Sequence, residues 1–206
     1  MKSHLRAVAP TTEKRTVDVK GGRKPNSEYR TREHLTEAEV ERLIETAKAN
    51  RWGRRDATMI LVAFRHGFRA SELVDLRWDQ IDFNAANMHV RRIKNSSDTT
   101  HPIPGDEMRA LRRLLREAPP STYVYVSERG TPFTTAGFAA MIKRAGQVAG
   151  FGFQAHPHML RHACGFALAN AGHDTRSLQA WLGHRNIQHT VRYTELAPDR
   201  FRDFWR

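Results

Sequence analysis

The chain has 206 residues, with 34 Lys and Arg against 22 Asp and Glu, a formal net charge of +12 and a pI near 10.6. A hydrophobic content of 39% supplies one buried core and excludes disorder throughout; the single cysteine, Cys164, excludes an internal disulfide framework and any Cys-rich zinc module. No run approaches the roughly 18 apolar residues of a membrane span and no hydrophobic leader opens the chain, so a cytoplasmic protein is expected, whose excess positive charge faces a polyanion, nucleic acid being the commonest in a cell.

Residues 1–33 read as a flexible basic arm: up to position 32 there are nine Lys and Arg against Glu13, Asp18 and Glu28, with Pro10, Gly21, Gly22 and Pro25 and no apolar period. The arm holds half of the net charge, and Lys20, Arg23 and Lys24 are its candidate DNA contacts. Order is expected from Thr36, where Thr36 and Glu39 have capping-box spacing and Val40, Leu43, Ile44 and Ala47 recur at helical period. Residues 54–66 predict a second helix, apolar on nearly all sides through Met59–Phe64 and stopped by Gly67; a short one follows from Ser71 to Leu76.

The period then becomes two. Met88, Val90 and Arg92 alternate with His89, Arg91 and Ile93, so strands are expected at 87–93 and 100–103 around a turn at Asn95-Ser96-Ser97-Asp98. Tyr123 and Tyr125 suggest a further alternating strand, and helices are expected at 105–117, 134–148, 157–171, 174–182 and 187–195. The fold class is therefore mainly α with a small antiparallel β-sheet.

The densest unusual segment is His156-Pro-His158-Met-Leu-Arg161-His162, followed by Leu182-Gly183-His184 and then Tyr193. His158 and His162 have the i, i+4 spacing of a zinc peptidase helix, but Met159 stands where that enzyme places its general-base Glu. A structural zinc held by His156, His158, His162 and Cys164 is disfavoured by the charge of Arg161 on the same helix, so no metal is expected. His158 and Arg161, at i and i+3, project from one face as a pair of donors suited to phosphate. Arg69 stands just after the Gly67 stop, with Glu72 three residues on to orient its guanidinium. His101, His162, His173 and His189 read as structural or surface residues, and Cys164 as a small buried one.

At these positions the chain resembles the tyrosine site-specific recombinases of the phage integrase family. Its Gly-x-Arg-x-x-Glu-Leu setting falls on Arg69, a hairpin Lys on Lys94, the His-x-x-Arg pair on His158 and Arg161, Leu-Gly-His on His184, and the nucleophile nine residues later on Tyr193. The wording of His66–Glu72, Thr99–Pro102, His156–Asn170 and Leu182–Ile187 is similar to one branch, the small invertases that switch fimbrial promoters. The resemblance implies a tyrosine recombinase catalytic domain over 34–196, a tail at 197–206 whose Phe201, Phe204 and Trp205 could dock on a neighbouring subunit, and no separate N-terminal clamp domain.

It further implies that Tyr193 attacks a DNA phosphodiester to give a 3′-phosphotyrosyl link. Arg69 and Arg161 would hold the non-bridging oxygens, and His158 would donate to the phosphate or take the phenolic proton. Lys94 would protonate the leaving 5′-oxygen, with Arg91 and Arg92 as alternatives, and His184 would bind the phosphate and position the Tyr helix. Neighbouring cations would favour the phenolate. No cofactor is implied; the partners implied are double-stranded DNA, further copies in a homotetramer on paired sites, and accessory DNA-bending proteins. The outcome would be inversion, integration or excision. A type IB topoisomerase and a catalytically silent DNA-binding regulator are the rival readings.

Overall fold

The structure is a computed structural model that describes residues 32–92 and 97–195. Lys94, the arm residues Lys20, Arg23 and Lys24, and the tail residues Phe201, Phe204 and Trp205 lie outside the described residues. Among the described residues, no helix is long and apolar enough to cross a membrane.

Helix α1 (Glu37–Lys48) begins at the anticipated capping box: the Thr36 hydroxyl accepts from the Glu39 N–H, and the Glu39 carboxylate accepts from the Thr36 N–H. Helix α2 (Gly53–Arg65) runs through the core, with Met59, Ile60, Val62 and Ala63 buried. After α3 (Ala70–Val74) and a single 3₁₀ turn at Trp78–Gln80 comes a three-stranded antiparallel sheet in the order β1 (Ile81–Asp82), β2 (Asn87–Val90), β3 (Thr99–Pro102). Its register pairs Met88 with His101 and Val90 with Thr99. The remaining helices are α4 (Gly105–Glu117), α5 (Thr135–Val148), α6 (Pro157–Asn170), α7 (Thr175–Leu182) and α8 (Gln188–Glu195). The mainly helical class with a small sheet is thus observed.

Two differences from the expected elements have local causes. Tyr123 and Tyr125 do not lie on a strand: the segment makes only the isolated bridges Arg77–Tyr123 and Val126–Pro132. Val124, Tyr125 and Val126 are buried consecutively rather than in alternation, because the segment is drawn into the core by the Val124 N–H on Leu76 O and the Phe133 N–H on Tyr125 O. β2 ends at Val90, yet the alternation continues beyond it, with Arg91 exposed and Arg92 buried.

The apolar interior has two parts. The larger runs from Leu35 to Ala163 and joins α1, α2, the sheet and the start of α6. The smaller contains Cys164, Phe166, Ala169, Leu178, Leu182 and Tyr193, and joins the end of α6 to α7 and α8.

Candidate active site

The site is built where two helices end in the same way. α2 stops at Gly67 (φ +58°) and α7 at Gly183 (φ +64°), left-handed positions that glycine adopts without steric cost. In each case the next N–H reaches back over the cap, Phe68 to Ala63 O at 3.1 Å and His184 to Gln179 O at 3.0 Å. A helix C-terminus carries unsatisfied carbonyls and partial negative charge, which suits a guanidinium.

Arg161, on α6, bridges the two ends. Its Nη1 donates to Gly67 O and its Nη2 to Leu182 O, the latter at 2.6 Å, and its side chain is 2% exposed. Arg92 enters the same space from the end of β2 and donates to His66 O at 3.0 Å, to Trp181 O and to Glu72 Oε2 at 3.0 Å. A Cβ at Gly183 would lie 2.9 Å from the Arg92 side chain, so this glycine serves both the turn and the close approach. Arg92 is therefore a buried brace and not the solvent-facing hairpin cation that the sequence left open.

Glu72 unites the cluster. Its carboxylate accepts from the Arg69 N–H at 2.9 Å and from Arg69 Nη1 at 2.6 Å, pairs with Arg92, and lies 4.0 Å from Arg161 Nη1. Burial pushes its pKa up, but these hydrogen bonds and cations outweigh burial and hold it below the ordinary carboxylate range. Three guanidinium groups thus share one carboxylate, and the surplus positive charge suits a phosphodiester. Burial, reinforced by Arg69 and Arg92, lowers Arg161 to about 10, which still leaves it charged at neutral pH. The Arg69 side chain, 30% exposed, faces an open cleft of about 630 Å³ that is also lined by Arg176, His184 and Arg185.

His184 follows the Gly183 cap. Its Nδ1 meets Thr190 Oγ1 at 2.8 Å, and this fully buried hydroxyl fixes the ring from the first turn of α8. Burial, with Arg161 and Arg69 adding to it, lowers His184 to about 3, so a neutral imidazole stands there. Tyr193, on the same helix, stacks on the His184 ring at a centroid distance of 6.4 Å and meets Phe166 edge-on at 5.1 Å. Its hydroxyl lies 2.9 Å from His162 Nδ1. Burial raises its pKa: Arg161 and Arg192 favour the phenolate, as expected of neighbouring cations, but do not outweigh burial.

The structure therefore brings Arg69, Arg161, His184 and Tyr193 into one region, drawn from four separate elements. His158 lies on the first turn of α6, its ring edge-on to His162 at 4.4 Å. Among the described residues no three potential metal ligands converge, and Cys164 Sγ points to Arg65 O at 3.4 Å. Cys164 is buried as expected, which pushes its thiol up to about 12.

Several contributors were missed in the sequence. His162, read there as structural or surface, touches the candidate nucleophile; its i, i+4 relation to His158 was the available signal. The Arg92 brace was signalled by alternation, since an inward-facing Arg must find acceptors. A third is the buried His66, whose Nε2 meets Glu107 at 2.7 Å and whose Nδ1 meets His101 Nδ1 at 2.9 Å. His101 stacks on Trp181 at 3.7 Å, and its Nε2 meets Thr99 Oγ1 at 2.9 Å, which ties the root of β3 to α2, α4 and α7. Burial, with His66 and Arg92, lowers His101 to about 3. No short sequence motif encodes this row.

The phage integrase family matches residues 33–200. The chain is 42% identical over 180 residues to the type 1 fimbriae regulatory protein FimE of Escherichia coli K12, which covers 84% of this chain and 91% of that protein. It is 36% identical over 177 residues to the tyrosine recombinase XerD of Pseudomonas aeruginosa PAO1, covering 82% of this chain and 59% of XerD. The crystal structure of XerA recombinase superposes with a TM-score of 0.72 at 29% identity, over 84% of this chain and 63% of XerA. The chain thus spans nine tenths of the fimbrial protein but about six tenths of the Xer proteins. With a family match over residues 33–200 and 42% identity to a relative of which it spans nine tenths, the chain belongs to the phage integrase family of tyrosine recombinases.

Proposed function

We propose that Tyr193 is the nucleophile of a site-specific DNA strand exchange in which Arg69, Arg161, His158 and His184 bind the scissile phosphate. Lys94 protonates the leaving 5′-oxygen. The observation that carries this reading is the shared Glu72 carboxylate, which fixes Arg69 at the mouth of the cleft and stands beside Arg161, with the Tyr193 helix adjoining. Resealing DNA without ATP requires that the energy of the broken phosphodiester be retained, and a phosphotyrosyl diester retains it. Oη gives up its proton to a histidine of the site as it attacks phosphorus, the P–O5′ bond breaks, and the 5′-oxygen takes its proton from Lys94. Charge accumulates on the non-bridging oxygens, where a preformed guanidinium pair stabilises the transition state more than the ground state.

The partner is double-stranded DNA, with Lys20, Arg23 and Lys24 adding phosphate contacts, and the working assembly is a homotetramer on two paired sites, aided by accessory DNA-bending proteins. Similarity to the fimbrial proteins favours inversion of a DNA segment. The test is a nicked suicide duplex that carries the target site. Wild-type protein should give a denaturation-resistant protein–DNA band, and Tyr193→Phe should give none while binding the duplex within a few-fold. A covalent band from the Phe variant would contradict the assignment.

A further inference from the structure

The Tyr193 side chain rests on α6. α6 turns His162, Gly165 and Phe166 toward α8, and the phenol lies against all three. A Cβ at Gly165 would come within 2.8 Å of the Tyr193 ring, so the seat exists because that position has no side chain. The residue is 2% exposed and its ring is edge-on to Phe166, so small displacements within the seat meet packed atoms. At the end of this seat, His162 Nδ1 stands 2.9 Å from Oη.

We propose that His162 is a further residue of the cleavage reaction, which accepts the phenolic hydrogen bond of Tyr193 through Nδ1 and so aims the nucleophilic oxygen. The inference rests on Tyr193 being the nucleophile. A phenol attacks through a lone pair on oxygen. An acceptor that engages the O–H directs the proton away and fixes the angle from which the lone pairs are presented, and orientation of this kind supplies much of the rate of a displacement. Burial, helped by His158, Arg192 and Arg161, lowers His162 to about 3, so at neutral pH the ring is uncharged and has one nitrogen able to accept. The sequence left room for His158 to take the phenolic proton; His158 sits one turn earlier on α6, and His162 Nδ1 is the imidazole nitrogen seen within hydrogen-bond distance of Oη.

Because the interaction uses Nδ1, it can be tested by shape. The Asn amide places a polar atom where Nδ1 of His lies, the Gln amide places one near Nε2, and Leu keeps bulk without an acceptor. Wild type and Tyr193→Phe are run first on the nicked suicide duplex; a covalent band from the Phe variant overturns the reading of Tyr193, and the role of His162 with it. With that control passed, single-turnover cleavage is measured for His162→Asn, His162→Gln and His162→Leu, together with DNA affinity and melting temperature. The expected result is cleavage within a few-fold of wild type for Asn and about ten-fold or more slower for Gln and Leu, with DNA affinity unchanged in all three. Equal rates in all four proteins, equal losses in all three variants, or better activity in Gln than in Asn would each overturn the role of Nδ1.

Discussion

Arg69 and Arg161 adjoin residues of the large core, with Arg161 also reaching Leu182 O of the satellite, whereas Tyr193 is itself one of the six buried residues of that satellite, and α8 buries little besides Thr190 and Tyr193. The guanidinium groups are fixed by two glycine-capped helix ends and a shared carboxylate; the phenol is fixed by a glycine-floored seat and one imidazole. The proposed phosphate side of the site is thus tied to the ends of α2 and α7. The proposed nucleophile is the anchor of its own short helix, which also holds the His184 ring through Thr190.

The contrast can be sharpened on the framework side by comparing two arginines. Arg161→Ala and Arg69→Ala should each slow cleavage by about 10²–10³-fold, the usual loss for one donor to a developing anion. Their effects on stability should differ. Arg161 ties together the ends of α2 and α7, so its removal should lower the melting temperature by several degrees, whereas the more exposed Arg69 should leave it within a degree or two. Thermal scans beside single-turnover assays separate the two, and equal melting temperatures would show that Arg161 is not a tie.

Glu72→Gln tests the shared carboxylate. Losing the negative charge among three guanidinium groups should destabilise the fold by about 3 kcal/mol at neutral pH. The folded-state pKa of Glu72 is depressed, so its contribution is present in full above the ordinary carboxylate range and is lost as pH falls through the lowered value. Wild type should therefore lose stability in acid more steeply than Glu72→Gln. Chemical denaturation across that range checks the slope, and parallel profiles would mean that Glu72 is not ionised in the fold.

On the nucleophile side the expected effect is smaller. Thr190→Val keeps the shape of the side chain and removes the hydroxyl on His184 Nδ1. Cleavage should fall by about ten-fold, in keeping with the removal of one hydrogen bond, with little change in DNA affinity. The smallest effect lies outside both regions. Lys20→Ala, Arg23→Ala and Lys24→Ala together should flatten the salt dependence of DNA binding by up to about 0.9 in log–log slope for each phosphate that the arm no longer neutralises. An unchanged slope would remove the arm from the interface.

The same contrast explains what the sequence disclosed. Arg69, His158, Arg161, His184 and Tyr193 stand in short motifs, because helix caps, i, i+3 pairs and the distance from His184 to Tyr193 are local properties of the chain. The capping box at Thr36 and the continuous burial of α2 were legible for the same reason. The Arg92 hydrogen bonds to Trp181 O and His66 O join residues far apart in sequence, and so do the His66–Glu107 and His66–His101 pairs. Only the folded chain brings them together. Tyr125 does not follow its β-like pattern, because a segment that the core absorbs on every side has no alternation of inner and outer faces to carry strand information.

The most direct test of the central claim is to map the covalent adduct. The wild-type complex trapped on a nicked suicide duplex is digested with protease and nuclease, and the peptide that retains a nucleotide is sequenced by mass spectrometry. The expected product is a 3′-linked nucleotide on Tyr193, within the peptide from α8. A nucleotide on Tyr123, Tyr125 or any other residue would contradict it.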